Sequence, residues 1–381
     1  MRTARWALTA LLLASVCATA ADTAPDAAGR TTGHAVESSS RWTLKYAIQG
    51  QDKDFPLRMV PAAGGRTSLF VKEGRGPGWS MLRWDGTSWK RAVLPAQFGK
   101  AWWIEVGGSP SGETIWASAN VSHGEDDVIE HLWRFSDGRW THRLSRNATW
   151  TGVIDIAVDT WGDAWFVTAM DPDGAPSDVL RWSGSAWREQ QHPARFDLTA
   201  VAAAGPDDVW ILGRGPGSPM QHWNGASWQD VAYPCAVTSP RPPCRGRSYL
   251  DHLSLAVRAD GHAWAVGPPW ADGGSPVVLH WDRSRWQQVS LNVVRTALTA
   301  PRTDPVGGLW IAANPASGAP YVLNLRDGRW TRSTLREGGP ADRIVDVAPV
   351  PGTKRLWVHT ERRTPTGSRR GEATSRVYEL S

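Results

Sequence analysis

Arg83-Trp84-Asp85-Gly86-Thr87-Ser88-Trp89 sets two tryptophans five residues apart around an Asp-Gly turn. The same interval recurs at Phe135/Trp140, Trp182/Trp187, Trp223/Trp228, Trp281/Trp286 and Leu325/Trp330, without variation. The residues between are turn formers, as in Asp137-Gly138, Ser183-Gly184, Asn224-Gly225 and Asp327-Gly328. They suit the positive φ angles of a tight hairpin. Each unit is therefore predicted to end in two antiparallel strands, c and d.

Upstream of each hairpin stands a second apolar run centred on an aromatic: Leu69-Phe70, Ile115-Trp116, Ala164-Trp165, Val209-Trp210, Ala263-Trp264, Leu309-Trp310 and Leu356-Trp357. This is strand b. A third run lies before it, as in Ile154-Asp155-Ile156, Leu198-Thr199-Ala200 and Val345-Asp346-Val347. This is strand a. From Phe70 to Trp357 the repeat averages about 48 residues, in the range of propeller blades. The seventh copy has a strand c at Val377-Tyr378-Glu379-Leu380 and then ends, but Ser40-Arg41-Trp42-Thr43-Leu44 reads like the strand d that begins at Gly138-Arg139-Trp140. The sequence thus predicts an all-β, seven-bladed β-propeller of four-stranded antiparallel blades, its ring closed by the N-terminal strand, which removes an exposed apolar edge. Both faces of a blade press on neighbours, so flat rings fill the wedges between sheets, and most of the 25 tryptophans belong to the core.

With these repeats in view, residues 41 to 381 resemble β-propeller repeats, and Trp84-Asp85 and Trp281-Asp282 resemble the Trp-Asp of WD40 repeats. The WD40 Gly-His dipeptide before the first strand of each blade is lacking. The pattern is more similar to the sensor-type and tectonin-like propellers of exported bacterial proteins, which also pair a short Trp strand with an aspartate-glycine hairpin. That resemblance implies ligand or partner binding and carries over no catalytic motif.

The first twenty residues have the layout of a secretory signal peptide: Arg2 and Arg5, an apolar run from Trp6 to Cys17, and a small-x-small cleavage site at Ala18-Thr19-Ala20. The run is too short for a membrane span. Cleavage would leave 40 basic residues against 37 acidic ones, so no nucleic-acid partner is expected. Residues 21 to 40 are rich in Ala, Ser, Thr and Gly and are assigned to a flexible leader. The expected location is secreted or in the cell envelope, and the expected state is a monomer.

Consecutive antiparallel strands send the b–c and d–a connections to one face and the a–b and c–d turns to the other. The c–d turns are uniform, whereas the b–c stretches vary, so function is expected on the b–c and d–a face. Candidates there are Trp79 after Gly76-Pro77-Gly78, Trp270 after Pro268-Pro269, and His123 beside Glu125-Asp126-Asp127. An exposed Trp on such a loop stacks on a sugar ring or anchors a partner; the alternative is that it folds back on its own loop. Cys235 and Cys244, in a Pro-rich insertion, are expected to form one disulfide in an exported protein. Aligning the inner strands on their downstream aromatics brings Met59, Glu105, Asp155, Thr199, Ser254, Thr299 and Asp346 to one position. This predicts a polar ring at the central channel, which either bonds between blades and to water or binds calcium or another cation through Glu105, Asp155 and Asp346. No other cofactor is expected.

Three functions fit: a binding module for a glycan or a protein at the cell surface, an interaction platform in an envelope assembly, or a propeller enzyme such as a polysaccharide or small-molecule lyase or a glycosidase. The scattered histidines and the absence of a nucleophile elbow or His-Glu-x-x-His run weigh against the enzyme.

Overall fold

Five of the six covalent c–d hairpins form in one of two ways, each set by the turn residues. At Asp137-Gly138 and Asp327-Gly328 both residues take positive φ, 53° and 77° in one and 51° and 71° in the other, giving the two-residue turn whose twist matches its strands. At Asp85, Asn224 and Asp282 the side-chain Oδ1 accepts the backbone N–H groups two and three residues on, at 2.9 to 3.0 Å. These routes, and the Ser183-Gly184 turn in which Gly184 takes φ of 63°, make the flanking residues direct cross-strand partners: Trp84 with Trp89, Phe135 with Trp140, Trp182 with Trp187, Trp223 with Trp228, Trp281 with Trp286 and Leu325 with Trp330. This is why the interval does not vary.

The structure is a computed structural model that describes residues 31–32, 35–38, 40–50, 57–72, 77–124, 127–148, 152–169, 177–190, 197–214, 220–232, 253–269, 276–291, 293, 295–336, 342–363 and 373–381. In blades I to VI strands a to d lie side by side in chain order. Blade I is Leu57–Pro61, Thr67–Lys72, Trp79–Trp84 and Trp89–Ala92; blade II is Trp103–Gly108, Ile115–Ser122, Val128–Ser136 and Arg139–Ala148; blade III is Val153–Val158, Ala164–Thr168, Val179–Ser183 and Ala186–Glu189. Blade IV is Asp197–Gly205, Asp208–Arg214, Met220–Trp223 and Trp228–Asp230; blade V is Ser254–Val257, Ala263–Pro269, Pro276–Trp281 and Trp286–Ser290. Blade VI splits strand a into Thr296–Leu298 and Arg302–Thr303, followed by Leu309–Pro315, Tyr321–Arg326 and Arg329–Thr334. Blade VII is Asp342–Pro349, Leu356–Arg363 and Ala373–Leu380, and its fourth strand is Trp42–Gly50. Among the described residues, no helix is long and apolar enough to cross a membrane.

The two ends of the chain therefore make the seventh hairpin. Trp42 lies opposite Leu380, the arrangement of Trp330 opposite Leu325, and Arg41 and Ser381 exchange N–H···O bonds of 2.8 and 3.0 Å where a covalent turn would stand. Residues 21 to 40, assigned by composition to a leader, include two short stretches laid along outer strands. Thr31–Thr32 runs parallel to Val289-Ser290 and Val36–Glu37 parallel to Thr331-Arg332. Strand edges offer free N–H and C=O groups, which is what draws even a polar segment onto them.

Between blades, the strand-b aromatic of one sheet sits against the cross-strand pair of the next. Trp357 lies 5.9 and 5.7 Å from Trp84 and Trp89, Trp116 lies 5.5 and 5.6 Å from Trp182 and Trp187, and Trp210 lies 5.1 and 5.2 Å from Trp281 and Trp286. Trp165 repeats the contact with Trp223 and Trp228 at 6.1 and 6.0 Å. Trp310 is buried in one cluster with Trp42 and Leu380, so the closing hairpin makes the same contact as the covalent ones. Truncating such a ring leaves a large cavity. Trp42→Ala is expected to lower the unfolding free energy by about 3–5 kcal/mol, read by denaturant unfolding; a loss below about 1 kcal/mol would show that the N-terminal strand is not part of the ring's core.

The a–b turns of blades III and VI share one device with different outcomes. Asp304 Oδ1 accepts Val306 N and Gly308 N at 3.1 and 2.8 Å, and its Oδ2 accepts Trp310 Nε1 and Arg326 Nη2 at 2.8 and 2.6 Å. Asp159 Oδ1 accepts Trp161 N and Asp163 N at 2.9 and 3.0 Å, but its buried Oδ2 has no partner. Ser183 stands where blade VI has Arg326. Burial pushes the Asp159 carboxyl up to about 6. The folded chain then holds this proton more tightly than the unfolded chain, so the group's contribution to stability is full below about pH 4 and is lost as pH rises through about 6. Asp304→Asn should cost about 3 kcal/mol by breaking a buried ion pair. Asp159→Asn should leave stability at pH 7 unchanged or higher and should flatten its fall between pH 4.5 and 7. Unfolding curves for the two variants across that range test both; equal losses would remove the distinction.

Candidate functional site

The seven inner strands surround a channel of about 620 Å³ that opens among Arg58, Glu105, Asp155, Arg302, Asp346 and His359. Its lining follows from strand register. Opposite the strand-b aromatic, strand a carries Gly107, Ala157, Ala202, Ala256 and Ala348 in five blades, but Arg58 in blade I and Arg302 in blade VI. Small residues are required where neighbouring sheets converge: a Cβ on Gly107 would lie 2.6 Å from the Ile156 carbonyl oxygen of blade III. Two residues earlier along strand a stand Glu105, Asp155 and Asp346. In blades III and VII this acid follows a β-bulge, with Ile154 and Val345 as the extra residues, and a bulge re-aims the side chain beside it.

Each arginine reaches the acid of the following blade. Arg58 Nη2 lies 3.4 Å from Glu105 Oε2, and Arg302 Nη2 lies 3.3 Å from Asp346 Oδ1. Asp155 Oδ2 accepts Val201 N of blade IV at 2.9 Å and its Oδ1 accepts Ile156 N at 3.0 Å. Burial pushes Glu105 up to about 7 against the pull of Arg58, with Asp155 pushing further in the same direction. Burial also raises Asp155, opposed first by the Val201 N–H and then by Arg302. The charge of Glu105 in turn raises Arg58. His359 on strand b of blade VII lies opposite Asp346. It is 1% exposed, neither ring nitrogen has a hydrogen-bond partner, and burial pushes it down to about 3.

A second set of side chains stands on the b–c and d–a face, at the entry to blade II. Trp102 and Trp103 are 53% and 44% exposed, although the repeat buries most of its rings. Lys72 Nζ donates to the Trp102 carbonyl at 2.8 Å and lies 5.9 Å from the Trp102 ring. Arg58 Cζ lies 5.7 Å from the Trp103 ring. The aromatic pair is thus bracketed by two cations, one of them a channel residue.

The residues singled out in the sequence are distributed differently from expectation. Glu105, Asp155 and Asp346 do line the channel with Met59, Thr199 and Ser254, whereas Thr299 Oγ1 accepts Ala312 N at 3.1 Å, within its own blade. The cations facing Glu105 and Asp346 are guanidinium groups, and among the described residues no three His, Cys, Asp or Glu side chains are grouped to hold a metal. Trp79 is not on a loop surface. It begins strand c and is 5% exposed, clustered with Phe98 and Ala101, because the short helix Ala96–Lys100 folds over it. His123 is exposed in the b–c turn of blade II, where its N–H donates to Asp127 O at 2.7 Å. Trp270, Cys235 and Cys244 lie outside the described residues. Sequence reasoning missed Arg58, Arg302, His359 and the Trp102-Trp103 pair. A signal existed for the last: no other blade places two consecutive tryptophans at the start of strand a.

No family model and no curated protein sequence matches the chain. Among solved structures it is similar to Ycf48 bound to D1 peptide, with a TM-score of 0.54 and 15% identity over 90% of this chain and 97% of that one. It is more loosely similar to AofleA from Arthrobotrys oligospora, with a TM-score of 0.43 and 10% identity over 81% and 95% of the two chains. A mutant Aleuria aurantia lectin in complex with alpha-methyl-L-fucoside gives a TM-score of 0.41 and 15% identity over 67% and 78%. The likeness to Ycf48 is one of fold: this chain is an all-β, seven-bladed propeller.

Proposed function

We propose that the protein is an exported, non-catalytic binding scaffold that grips a segment of a partner protein on its b–c and d–a face. The carrying observation is the exposure of Trp102 and Trp103 on a frame whose other described strand tryptophans are all buried or half-buried. Exposed Trp on a rigid element is an anchor that loses little rotamer entropy on binding. Lys72 and Arg58 beside the rings favour a segment carrying carboxylates, because complementary charge raises encounter rate and fixes orientation. The Ycf48 structure holds a peptide, which supports the reading to the extent that a propeller of this fold accommodates that class of ligand. A monomer fits this role, since the closed ring leaves no blade to be completed by a second copy.

The test is fluorescence anisotropy of the exported chain with labelled peptide libraries of acidic, neutral and basic composition, beside a glycan array. Acidic peptides are expected to bind best, with affinity falling as salt rises. The double variant Trp102→Ala/Trp103→Ala should lose at least about tenfold in affinity while keeping its unfolding midpoint, because the exposed faces of both rings contribute little to folding. Preference for basic peptides, or an undiminished affinity in the double variant, would overturn the reading. Binding confined to the glycan array would replace the protein partner with a sugar.

A further inference from the structure

We propose that the central channel is a ligand site in its own right, taking a small, neutral, polyhydroxylated molecule of about sugar size. The site shares only Arg58 with the aromatic pair on the rim and does not depend on a protein partner.

The first ground is His359. Buried polar groups are nearly always hydrogen-bonded, yet this ring is 1% exposed, lines the cavity, and has both nitrogens unpartnered. A neutral imidazole presents one donor and one acceptor, which a hydroxyl matches at once. The second ground is unspent capacity on the facing walls. A guanidinium carries five N–H donors, but Arg58 and Arg302 are each engaged within the channel through one long contact, at 3.4 and 3.3 Å. Each oxygen of Asp155 accepts one backbone N–H, which leaves acceptor sites on a carboxylate.

Charge then selects the ligand class. Charges of both signs line the lumen: Arg58 faces Glu105 and Arg302 faces Asp346, with Asp155 and Glu361 beside them. An anion drawn to the guanidinium groups meets Asp155 and Asp346, and a cation drawn to those acids meets Arg58 and Arg302, and like charges at such separations repel. A hydroxyl ligand both donates and accepts and carries no charge, so it is complementary to the polar groups of the lining whichever sign they carry. The volume of about 620 Å³ falls inside the usual range for small-molecule pockets.

The experiment is isothermal titration and saturation-transfer NMR of the full exported chain against a defined panel: glucose, galactose, N-acetylglucosamine, trehalose and glycerol, with glycine, glutamate, succinate and putrescine as charged comparators. At least one neutral member is expected to bind with a dissociation constant in the millimolar range or tighter, and no comparator should bind as well. His359→Leu, which replaces an unpartnered buried ring by an apolar side chain, should fold with an unchanged or raised melting temperature and lose that binding at least tenfold. Arg302→Met, at a half-exposed position, should weaken it as well without loss of fold. The proposal is overturned if no neutral member binds, if a charged comparator binds more tightly than all of them, or if His359→Leu binds as the parent does.

Discussion

The contact on which the rest depends is a three-sided one: the strand-b aromatic of one blade against the cross-strand pair that ends the next. It couples a local rule to a global one. The turn chemistry of Asp-Gly and Asx hairpins places the pair opposite each other within a blade, and that pair then becomes the surface against which the preceding blade docks. Because every interface uses the same three positions, the wedge between sheets is filled by rings of similar size, and the ring closes at seven without a special joint. Edge-to-face and tilted geometries dominate, with centroid separations between 5.1 and 6.1 Å at the four tryptophan-built interfaces, which is the arrangement that aromatic quadrupoles favour.

The frame was legible in the sequence for that reason. Spacing within a hairpin is local, and the missing strand d of the last copy was recoverable because Arg41-Trp42-Thr43 carries the same signal as Arg139-Trp140-Thr141. The channel was only half legible. Aligning inner strands by counting back from an aromatic assumes constant register, and bulges at Ile154, Thr199 and Val345 break it. The count found the acids, two of which, Asp155 and Asp346, directly follow bulges, and missed the arginines, whose place opposite the aromatic is reached by twelve residues in blade I and eight in blade VI. His359 gave no signal because a histidine in an apolar strand reads as core.

Trp79 shows the converse error. A Gly-Pro-Gly run before a tryptophan reads as a loop tip, but Gly78 takes φ of 139° and turns the chain directly into strand c, under a helix that composition does not announce. Exposure is decided by what covers a residue from elsewhere in the chain, and here the cover is Phe98, nineteen residues on. Trp102 and Trp103 lie just beyond the same helix, where the cover ends.

The two arginines of the channel occur in the two blades that depart from the repeat. Blade I has Phe70 where the others have tryptophan, and blade VI is the one whose strand a is divided. Elsewhere the position opposite the aromatic is Gly or Ala, as close convergence of neighbouring strands demands. A larger side chain at that register is accommodated only where the local frame has given way, and placing a charge there brings no packing gain. Sequences that specify one fold agree with their local rules nearly everywhere, and the exceptions gather where a site is needed. The interfaces between blades lie outside the channel and carry the cohesion, so its unpaired imidazole, its elevated carboxyls and its half-engaged guanidinium groups can persist without loosening the ring. The division of labour is radial: aromatic contact at middle radius holds the sheets, and that frees the axis to be polar.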